Sequence, residues 1–221
     1  MIATLLDFDG VLVDSEPVHL AAFNDVLAPS GITIDPRDYL ERYLSLDDAG
    51  VFREVLSRGG RTLREEEVRA MVAAKAPRFM TRFETSFRVF PGARELIARR
   101  VARGPVAIVS GALEPEIRYA LGALGAAEAL AFIVSAEQTP ASKPDPAPYL
   151  LALERLREGG HREGAVVVED SAGGVLAAKR AGLRCIAVTH SCGKKELESA
   201  GADAVVDHLD AVTDALLEAV A

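Results

Sequence analysis

The chain has little cysteine and a shortage of positive charge. Cys185 and Cys192 are its only cysteines, too few for a disulfide framework and without metal-ligand spacing, so we interpret them as free thiols in a reducing compartment. Lys and Arg number 25 against 33 Asp and Glu, which gives a net charge of −8. Because nucleic-acid binding needs clustered cationic side chains, this balance argues against a nucleic-acid partner. A small anionic substrate is compatible with it only if a local cation offsets the negative field.

Long apolar runs are missing as well. The run at the start, Ile2–Leu6, is interrupted by Asp7 and Asp9, and no basic segment precedes it. A membrane helix needs about 20 consecutive apolar residues, so we expect neither a signal peptide nor a membrane span, and we predict a cytoplasmic protein. The hydrophobic share of 49% is nevertheless enough for a sizeable, mainly aliphatic core.

Short apolar segments alternate with helical patterns over most of the chain. We predict strands buried on both faces at Ile2–Phe8, Val106–Val109, Phe132–Val134, Ala165–Val168 and Cys185–Val188. Helical spacing is found at Ala93–Arg103, Glu114–Leu124, Ala147–Arg157 and Gly173–Ala181. This alternation is typical of an α/β fold with a doubly wound, Rossmann-like parallel sheet, whose ligands bind at the carboxyl ends of the strands.

The alternation stops between residues 16 and 88. This stretch is charged, lacks a convincing strand, and shows long helical spacing over Leu63–Phe83. We therefore predict a helical cap domain, residues 16–88, inserted after the first strand of a Rossmann-like core formed by residues 1–15 and 89–221. An insert at the ligand edge of a sheet can serve as a lid.

Four groups of polar residues are expected at the carboxyl ends of the strands. They are Asp7-Phe8-Asp9-Gly10, Ser110-Gly111, Lys143 in a proline-rich loop, and Glu169-Asp170-Ser171. Each has an ordinary structural explanation on its own, since an aspartate or serine often caps the next helix and a loop lysine is usually solvated. Their coincidence at one edge of one sheet is harder to explain without a ligand.

Several carboxylates at one edge repel each other unless a cation lies among them. Oxygen ligands suit Mg²⁺, which keeps several waters and bridges to phosphate. With Lys143 and Ser110 nearby, a phosphoryl group is the expected occupant, because such groups are held mainly by positioning and charge neutralisation. One carboxylate could act as the nucleophile and another as the acid and base.

These residues resemble, in the same order, the four motifs of the haloacid dehalogenase superfamily of phosphohydrolases and phosphomutases. The first motif is similar to Asp7-Phe8-Asp9-Gly10-Val11, the second to Ser110, the third to Lys143, and the fourth to Glu169-Asp170 with Gly173-Gly174. The insert lies between the first and second motifs, as does the helical cap of the phosphoglycolate phosphatase and β-phosphoglucomutase branch.

The resemblance implies a role for each matching residue. Asp7 would be the nucleophile that forms an aspartyl-phosphate, and Asp9 the general acid and base. Ser110 and Lys143 would hold the phosphoryl group. The implied ligands of Mg²⁺ are Asp7, the Asp9 carbonyl and Asp170, with Glu169 close by or directly ligating. The candidate substrate contacts are Gly10, Gly111 and Ala112 in the core, and His19, Arg42 and Tyr43 in the cap.

The favoured function is a Mg²⁺-dependent phosphatase of a small phosphorylated metabolite, as a monomer or a homodimer. Dehalogenating members lack an aspartate at the position of Asp9, since a halide leaves without a proton. A sugar-phosphate mutase is the first alternative. The resemblance to β-phosphoglucomutases implies a Gly and a Ser-Arg pair in the cap loop, and the corresponding stretch from Arg42 to Asp48 lacks them. A receiver-like phospho-acceptor module is the second, and the length and the cap argue against it.

Overall fold

The computed structural model describes residues 1–44 and 46–221, so that Ser45, within the stretch compared above with mutases, lies outside the described residues. The chain divides into two compact units. The first unit comprises Met1–Asp14 and Arg88–Ala221, and the second comprises Ser15–Phe87. That the second unit serves as a lid stays a prediction.

The first unit is built around a parallel sheet. The strands of this unit are β1 (Ala3–Leu6), β2 (Val13–Asp14), β3 (Arg88–Val89), β4 (Val106–Val109), β5 (Phe132–Val134), β6 (Ala165–Glu169), β7 (Arg184–Val188) and β8 (Ala204–Val206). Of these, β2 and β3 form a separate antiparallel pair. Among the described residues, six of these strands form one sheet in the order β5-β4-β1-β6-β7-β8. In its centre, Leu6 of β1 pairs with Ile108 on one side and Val168 on the other.

The strands of this sheet alternate with helices along the chain. The helices of the first unit are α5 (Ala93–Val101), α6 (Glu114–Leu124), α7 (Ala147–Glu158), α8 (Ala172–Arg180), α9 (Lys194–Ser199) and α10 (Asp214–Val220). The prediction of an α/β, Rossmann-like fold is therefore confirmed. Because β1 lies between β4 and β6, the residues that follow these three strands share one edge of the sheet.

The strand predictions differ from the structure in several places: β1 ends at Leu6 and not at Phe8, and β2 and β3 are absent from the prediction. Burial on both faces is correct for β1, β4 and β6, but it is wrong for β5, where Phe132 and Ile133 are only half-buried. The physical reason is that β5 is an edge strand with a single neighbour. The sequence reading also missed β8, a half-buried strand of only three residues, although all three are apolar.

The second unit is helical, and none of its described residues lies in a strand. Its helices are α1 (Glu16–Leu27), α2 (Pro36–Asp38), which continues into a π-helical turn at Tyr39–Tyr43, α3 (Asp48–Arg58) and α4 (Glu65–Ser86). Phe23, Phe52 and Leu56 are among the residues that form its core. Within the described part of the chain, no helix is both long and apolar enough to cross a membrane.

Candidate active site at the carboxyl edge of the sheet

The chain makes a tight turn directly after β1. The Asp7 N–H still donates to the Val168 carbonyl at 3.0 Å, so the aspartate extends the pairing of β1 with β6. The Gly10 N–H then donates to the Val13 carbonyl at 2.8 Å, which closes the turn. Asp7 is buried as a result, whereas Asp9 is half-buried in the turn itself.

Gly10 allows this turn to approach Asp170. Its φ of +75° lies in the left-handed region that favours glycine. A Cβ built on Gly10 would also lie 1.8 Å from Asp170 Oδ2, far inside van der Waals contact. Any other residue here would displace either the turn that follows the predicted nucleophile or the Asp170 carboxylate.

Lys143 connects the ends of three strands. Its ammonium donates to Asp7 Oδ1 at 2.7 Å, to Glu169 Oε1 at 2.6 Å and to the Val109 carbonyl at 2.8 Å. An ammonium has three N–H donors, so each has an acceptor in this arrangement. Burial by itself lowers the pKa of Lys143, but the Asp7 and Glu169 carboxylates outweigh it and raise that pKa. The side chain therefore carries a positive charge.

Glu169 is fully buried and accepts hydrogen bonds on both oxygens. Oε1 accepts from Lys143 and from the Tyr149 hydroxyl at 3.0 Å. Oε2 accepts from the Asp170 N–H at 3.0 Å and from the N–H and hydroxyl of Ser171 at 3.3 and 3.1 Å. Burial raises the pKa of Glu169, but Lys143 and these hydrogen bonds reverse the effect, so that its pKa is lowered.

The start of α8 is packed against Glu169. Ser171 caps the helix, since its hydroxyl accepts the Gly174 N–H at 3.0 Å. A Cβ built on Gly174 would lie 1.8 Å from Glu169 Oε1, whereas a Cβ on the adjacent Gly173 meets nothing within 4 Å. Gly174 is therefore needed for close packing, and Gly173 is not.

This contrast gives a matched pair of substitutions. Gly174→Ala forces the buried Glu169 carboxylate to move, so we expect it to reduce the free energy of unfolding by about 2 kcal/mol and to slow the hydrolysis of an aryl phosphate. Gly173→Ala should keep full activity and stabilise the chain by about 0.5 kcal/mol, because alanine favours helix more than glycine does. Urea unfolding and initial rates of both variants check this. Equal behaviour of the two would contradict the packing argument.

Carboxyl groups outnumber cations in this cluster. Asp7, Glu169 and Asp170 each offer a carboxylate oxygen, and these oxygens lie within 4.8 Å of one another. Burial raises the pKa of Asp7 to about 7, and the Glu169 and Asp9 carboxylates also raise it. Burial, followed by the Glu169 and Asp7 charges, raises the pKa of Asp170 well above its usual range. Lys143 alone does not neutralise three carboxylates, and oxygen donors of this type fit a hard divalent cation such as Mg²⁺.

Ser110 lies at the end of β4, next to the end of β1. It is buried, its N–H donates to the Val134 carbonyl at 2.9 Å, and its Oγ accepts the Ala112 N–H at 3.0 Å. Gly111 is exposed between them. Because Ser110 follows Val109, its hydroxyl belongs to the same strand end as the carbonyl that Lys143 contacts.

Sequence reasoning missed two residues after β7. His190 Nδ1 donates to the Gly10 carbonyl at 2.7 Å, and its ring stacks on Phe90 with 4.0 Å between centroids. A hydrogen bond from Ser191 to the Asp170 carboxylate lowers the pKa of Asp170 and so opposes the effect of burial. Both residues come shortly after the apolar strand β7, just as Asp7 follows β1 and Ser110 follows β4. The same sequence pattern could therefore have identified them.

The predicted cap contacts lie in the second unit. His19 Nδ1 accepts from the Lys75 ammonium at 2.8 Å, and burial, followed by the Lys75 charge, lowers the pKa of His19. Arg42 forms an exposed ion pair with Asp38, and Tyr43 is buried in the core of its unit. The substrate-binding roles of His19, Arg42 and Tyr43 stay predictions, as does the acid–base role of Asp9.

Comparison with known proteins decides the family. Residues 4–188 match the haloacid dehalogenase-like hydrolase family. The chain belongs to this family. A phosphoglycolate phosphatase of Mesorhizobium japonicum is 30% identical over 97% of this chain and 94% of its own length. The predicted family and enzyme class, a haloacid dehalogenase-like phosphoric monoester hydrolase, are thereby confirmed.

Two crystal structures of CbbY from Rhodobacter sphaeroides resemble this member of the family. A complex with phosphate has a TM-score of 0.81 at 30% identity and covers 99% of this chain and 100% of that one. A mutant in complex with xylulose-(1,5)bisphosphate has a TM-score of 0.77 at 29% identity, with 95% of both chains covered. The similarity therefore extends over both units and not only over the sheet.

Proposed function

We propose that this haloacid dehalogenase-like hydrolase is a Mg²⁺-dependent phosphatase of small phosphorylated metabolites that works through an aspartyl-phosphate on Asp7. One observation carries the proposal. Asp7 is held by the Lys143 ammonium at 2.7 Å inside a cluster of buried carboxylates whose charge a single lysine does not neutralise. Such a cluster suits a divalent cation and the phosphoryl group that bridges to it.

In the first step, an Asp7 carboxylate oxygen attacks phosphorus and the bond from phosphorus to the ester oxygen breaks. Asp9, in its acid form, gives its proton to the leaving oxygen, so that an alcohol departs and Asp7 carries the phosphoryl group. Lys143 fixes the orientation of Asp7. The Ser110 hydroxyl, at the end of the neighbouring strand β4, would donate to a phosphoryl oxygen.

In the second step, the Asp9 carboxylate takes a proton from a water molecule, whose oxygen attacks phosphorus. The bond between phosphorus and Asp7 breaks, inorganic phosphate leaves, and both aspartates return to their starting states. Asp7, Asp170, Glu169 and the Asp9 carbonyl would hold Mg²⁺, which supplies charge neutralisation for the phosphoryl oxygens. The Lys143 ammonium would add a positive charge from the protein itself at the same site.

The substrate class follows from the relatives. A phosphoglycolate phosphatase and the CbbY complex with xylulose-(1,5)bisphosphate support a small phosphorylated acid or sugar as the substrate. A screen of phosphorylated acids, sugar monophosphates and sugar bisphosphates, read by release of inorganic phosphate, tests this. Failure to release phosphate from every member, and from an aryl phosphate, would contradict the proposal.

Removal of the metal should stop the reaction. We expect an excess of EDTA to lower the rate of phosphate release by at least about 1,000-fold, because the carboxylates would then repel the anionic substrate. Adding Mg²⁺ back should restore the rate, whereas adding Ca²⁺ should restore little, because Ca²⁺ prefers more ligands and longer bonds. Undiminished turnover in EDTA would exclude the proposed metal site.

The mutase alternative is separated by its products. With β-glucose 1-phosphate, a phosphatase releases glucose and inorganic phosphate, whereas a mutase yields glucose 6-phosphate. We expect free phosphate, because the stretch from Arg42 to Asp48 lacks the Gly and the Ser-Arg pair that the resemblance to β-phosphoglucomutases implies. Accumulation of glucose 6-phosphate would favour the mutase.

A further inference from the structure

Tyr149 is a buried polar residue that the proposed mechanism does not use. It lies in the first turn of α7, six residues after Lys143, and has 0% exposure. Its ring belongs to the hydrophobic core beneath the sheet edge, together with Val109, Val167 and Cys185. Phenylalanine would fill the same space, and burying an additional hydroxyl is unfavourable unless it is hydrogen-bonded. The hydroxyl therefore requires an explanation of its own.

The hydroxyl donates a hydrogen bond to Glu169. The oxygens are 3.0 Å apart, and Glu169 Oε1 also accepts from the Lys143 ammonium at 2.6 Å. The Lys143 nitrogen also lies 5.1 Å from the centre of the Tyr149 ring. The Tyr149 side chain thus contacts both Glu169 and Lys143, the two charged residues beside the predicted nucleophile.

The second oxygen of Glu169 connects this contact to Asp170. Oε2 accepts the N–H groups of Asp170 and Ser171, so the orientation of the Glu169 carboxylate and the path of the turn that carries Asp170 depend on each other. With Tyr149 as a second donor, Oε1 is held from two directions. Without it, Lys143 alone would hold that oxygen, so the position of Oε1, and with it that of the Lys143 ammonium, would be less strictly fixed.

We propose that Tyr149 is a positioning residue that acts through Glu169 to fix Lys143 and the turn carrying Asp170 in the geometry that binds the divalent cation. The inference rests on the proposed function, because it assigns a role around the same metal and phosphoryl site. It concerns a hydroxyl that touches neither the substrate nor the metal. Groups that orient metal ligands in this way typically contribute about 10- to 100-fold to metal affinity or activity.

The test is Tyr149→Phe, which removes only the hydroxyl. Metal affinity is measured on the metal-free protein with Mn²⁺, an oxygen-preferring probe whose free form is followed by electron paramagnetic resonance. We expect the dissociation constant for Mn²⁺ to rise by about 10-fold. We also expect kcat for an aryl phosphate to fall by about 10-fold at saturating Mg²⁺, with KM within about twofold of the parent, since Tyr149 contacts no substrate.

Tyr39→Phe is the matched control. Tyr39 is also buried and donates its hydroxyl to a glutamate, Glu16 Oε2, at 2.7 Å, but it lies in the second unit. A loss of stability alone would be shared by both variants, whereas the change in Mn²⁺ affinity should be confined to Tyr149→Phe. A double-mutant cycle with Glu169→Gln adds a second criterion, because an effect that acts through Glu169 should largely disappear in that background.

The inference is supported if Tyr149→Phe raises the Mn²⁺ dissociation constant by about threefold or more. Tyr39→Phe should not show this rise, and the rise should be smaller in the Glu169→Gln background. A smaller change, or an equal effect in that background, overturns it whatever the melting temperature. If Tyr149→Phe loses its cooperative unfolding transition, Tyr149→Met, which also fills the core without a donor, takes its place under the same criteria. A parent chain that binds no Mn²⁺ overturns the proposed function too, whereas an active parent with an unchanged variant overturns only the role of Tyr149.

Discussion

Asp7→Asn is expected to abolish turnover of an aryl phosphate, with a fall in kcat of at least about 10,000-fold. The amide nitrogen and oxygen of asparagine are poor nucleophiles, so the aspartyl-phosphate cannot form. Loss of the charge also removes one of the three carboxylates that surround the metal position. The measurement is the initial rate with p-nitrophenyl phosphate at saturating Mg²⁺, together with a single-turnover assay for phosphate bound to the protein after acid quenching.

The fold of this variant should persist. Asn keeps the shape of Asp7, and the backbone N–H that donates to Val168 is unchanged. Burial and the neighbouring Glu169 already raise the pKa of Asp7 to about 7 in the metal-free protein, so a neutral side chain there relieves repulsion. We therefore expect Asp7→Asn to be at least as stable as the parent in EDTA. Asp25→Asn, which removes an aspartate from an exposed ion pair with Arg82, controls for a general effect of charge loss and should keep its activity. Activity of Asp7→Asn near the parental level would exclude Asp7 as the nucleophile.

The sheet and the principal charged groups could be predicted because they depend on local patterns. Apolar runs such as Val106–Val109 and Ala165–Val168 identify central strands, since both faces are covered. Parallel pairing then brings the residues that follow β1, β4 and β6 to one edge without knowledge of any contact. Asp7, Ser110 and Glu169 all follow from this reasoning.

Other features depend on tertiary contacts that have no local signal. The edge strand β8 has only three residues, and its pairing with β7 is a tertiary contact that no local pattern specifies. Tyr149 fits the apolar spacing of α7, and nothing in the sequence shows that its hydroxyl meets Glu169. Glu169 itself was expected near the metal, whereas its five hydrogen-bond donors, two of them side chains from other elements, become evident only in three dimensions.

Lys143→Met should combine a loss of activity with a loss of stability. The variant lacks the ammonium that fixes Asp7, so we expect kcat for an aryl phosphate to fall by about 1,000-fold. It also leaves the buried Asp7 and Glu169 carboxylates without their cation, which should reduce the free energy of unfolding by about 3 kcal/mol near neutral pH. Urea unfolding in EDTA and initial rates at saturating Mg²⁺ measure the two effects separately.

The loss of stability should depend on pH in a defined direction. Lys143 lowers the pKa values of Asp7 and Glu169, so its removal raises both in the folded state. A carboxyl group whose pKa is higher in the folded than in the unfolded state binds more protons when folded, and stability then falls as pH rises. The difference between parent and Lys143→Met should therefore be small near about pH 5 and larger near about pH 8. A difference that is constant across this range would mean that the two carboxylates are not what the ammonium neutralises.

Lys143→Arg separates charge from geometry in the same experiment. Arginine restores a positive charge, so most of the stability should return, and with it a weaker pH dependence. Its planar guanidinium cannot direct single N–H groups at Asp7 Oδ1, Glu169 Oε1 and the Val109 carbonyl as the tetrahedral ammonium does. Activity should consequently stay at least about 100-fold below the parent. If arginine restored activity and stability together, charge alone would account for Lys143, and the three-way orientation of Asp7 would have no role in the reaction.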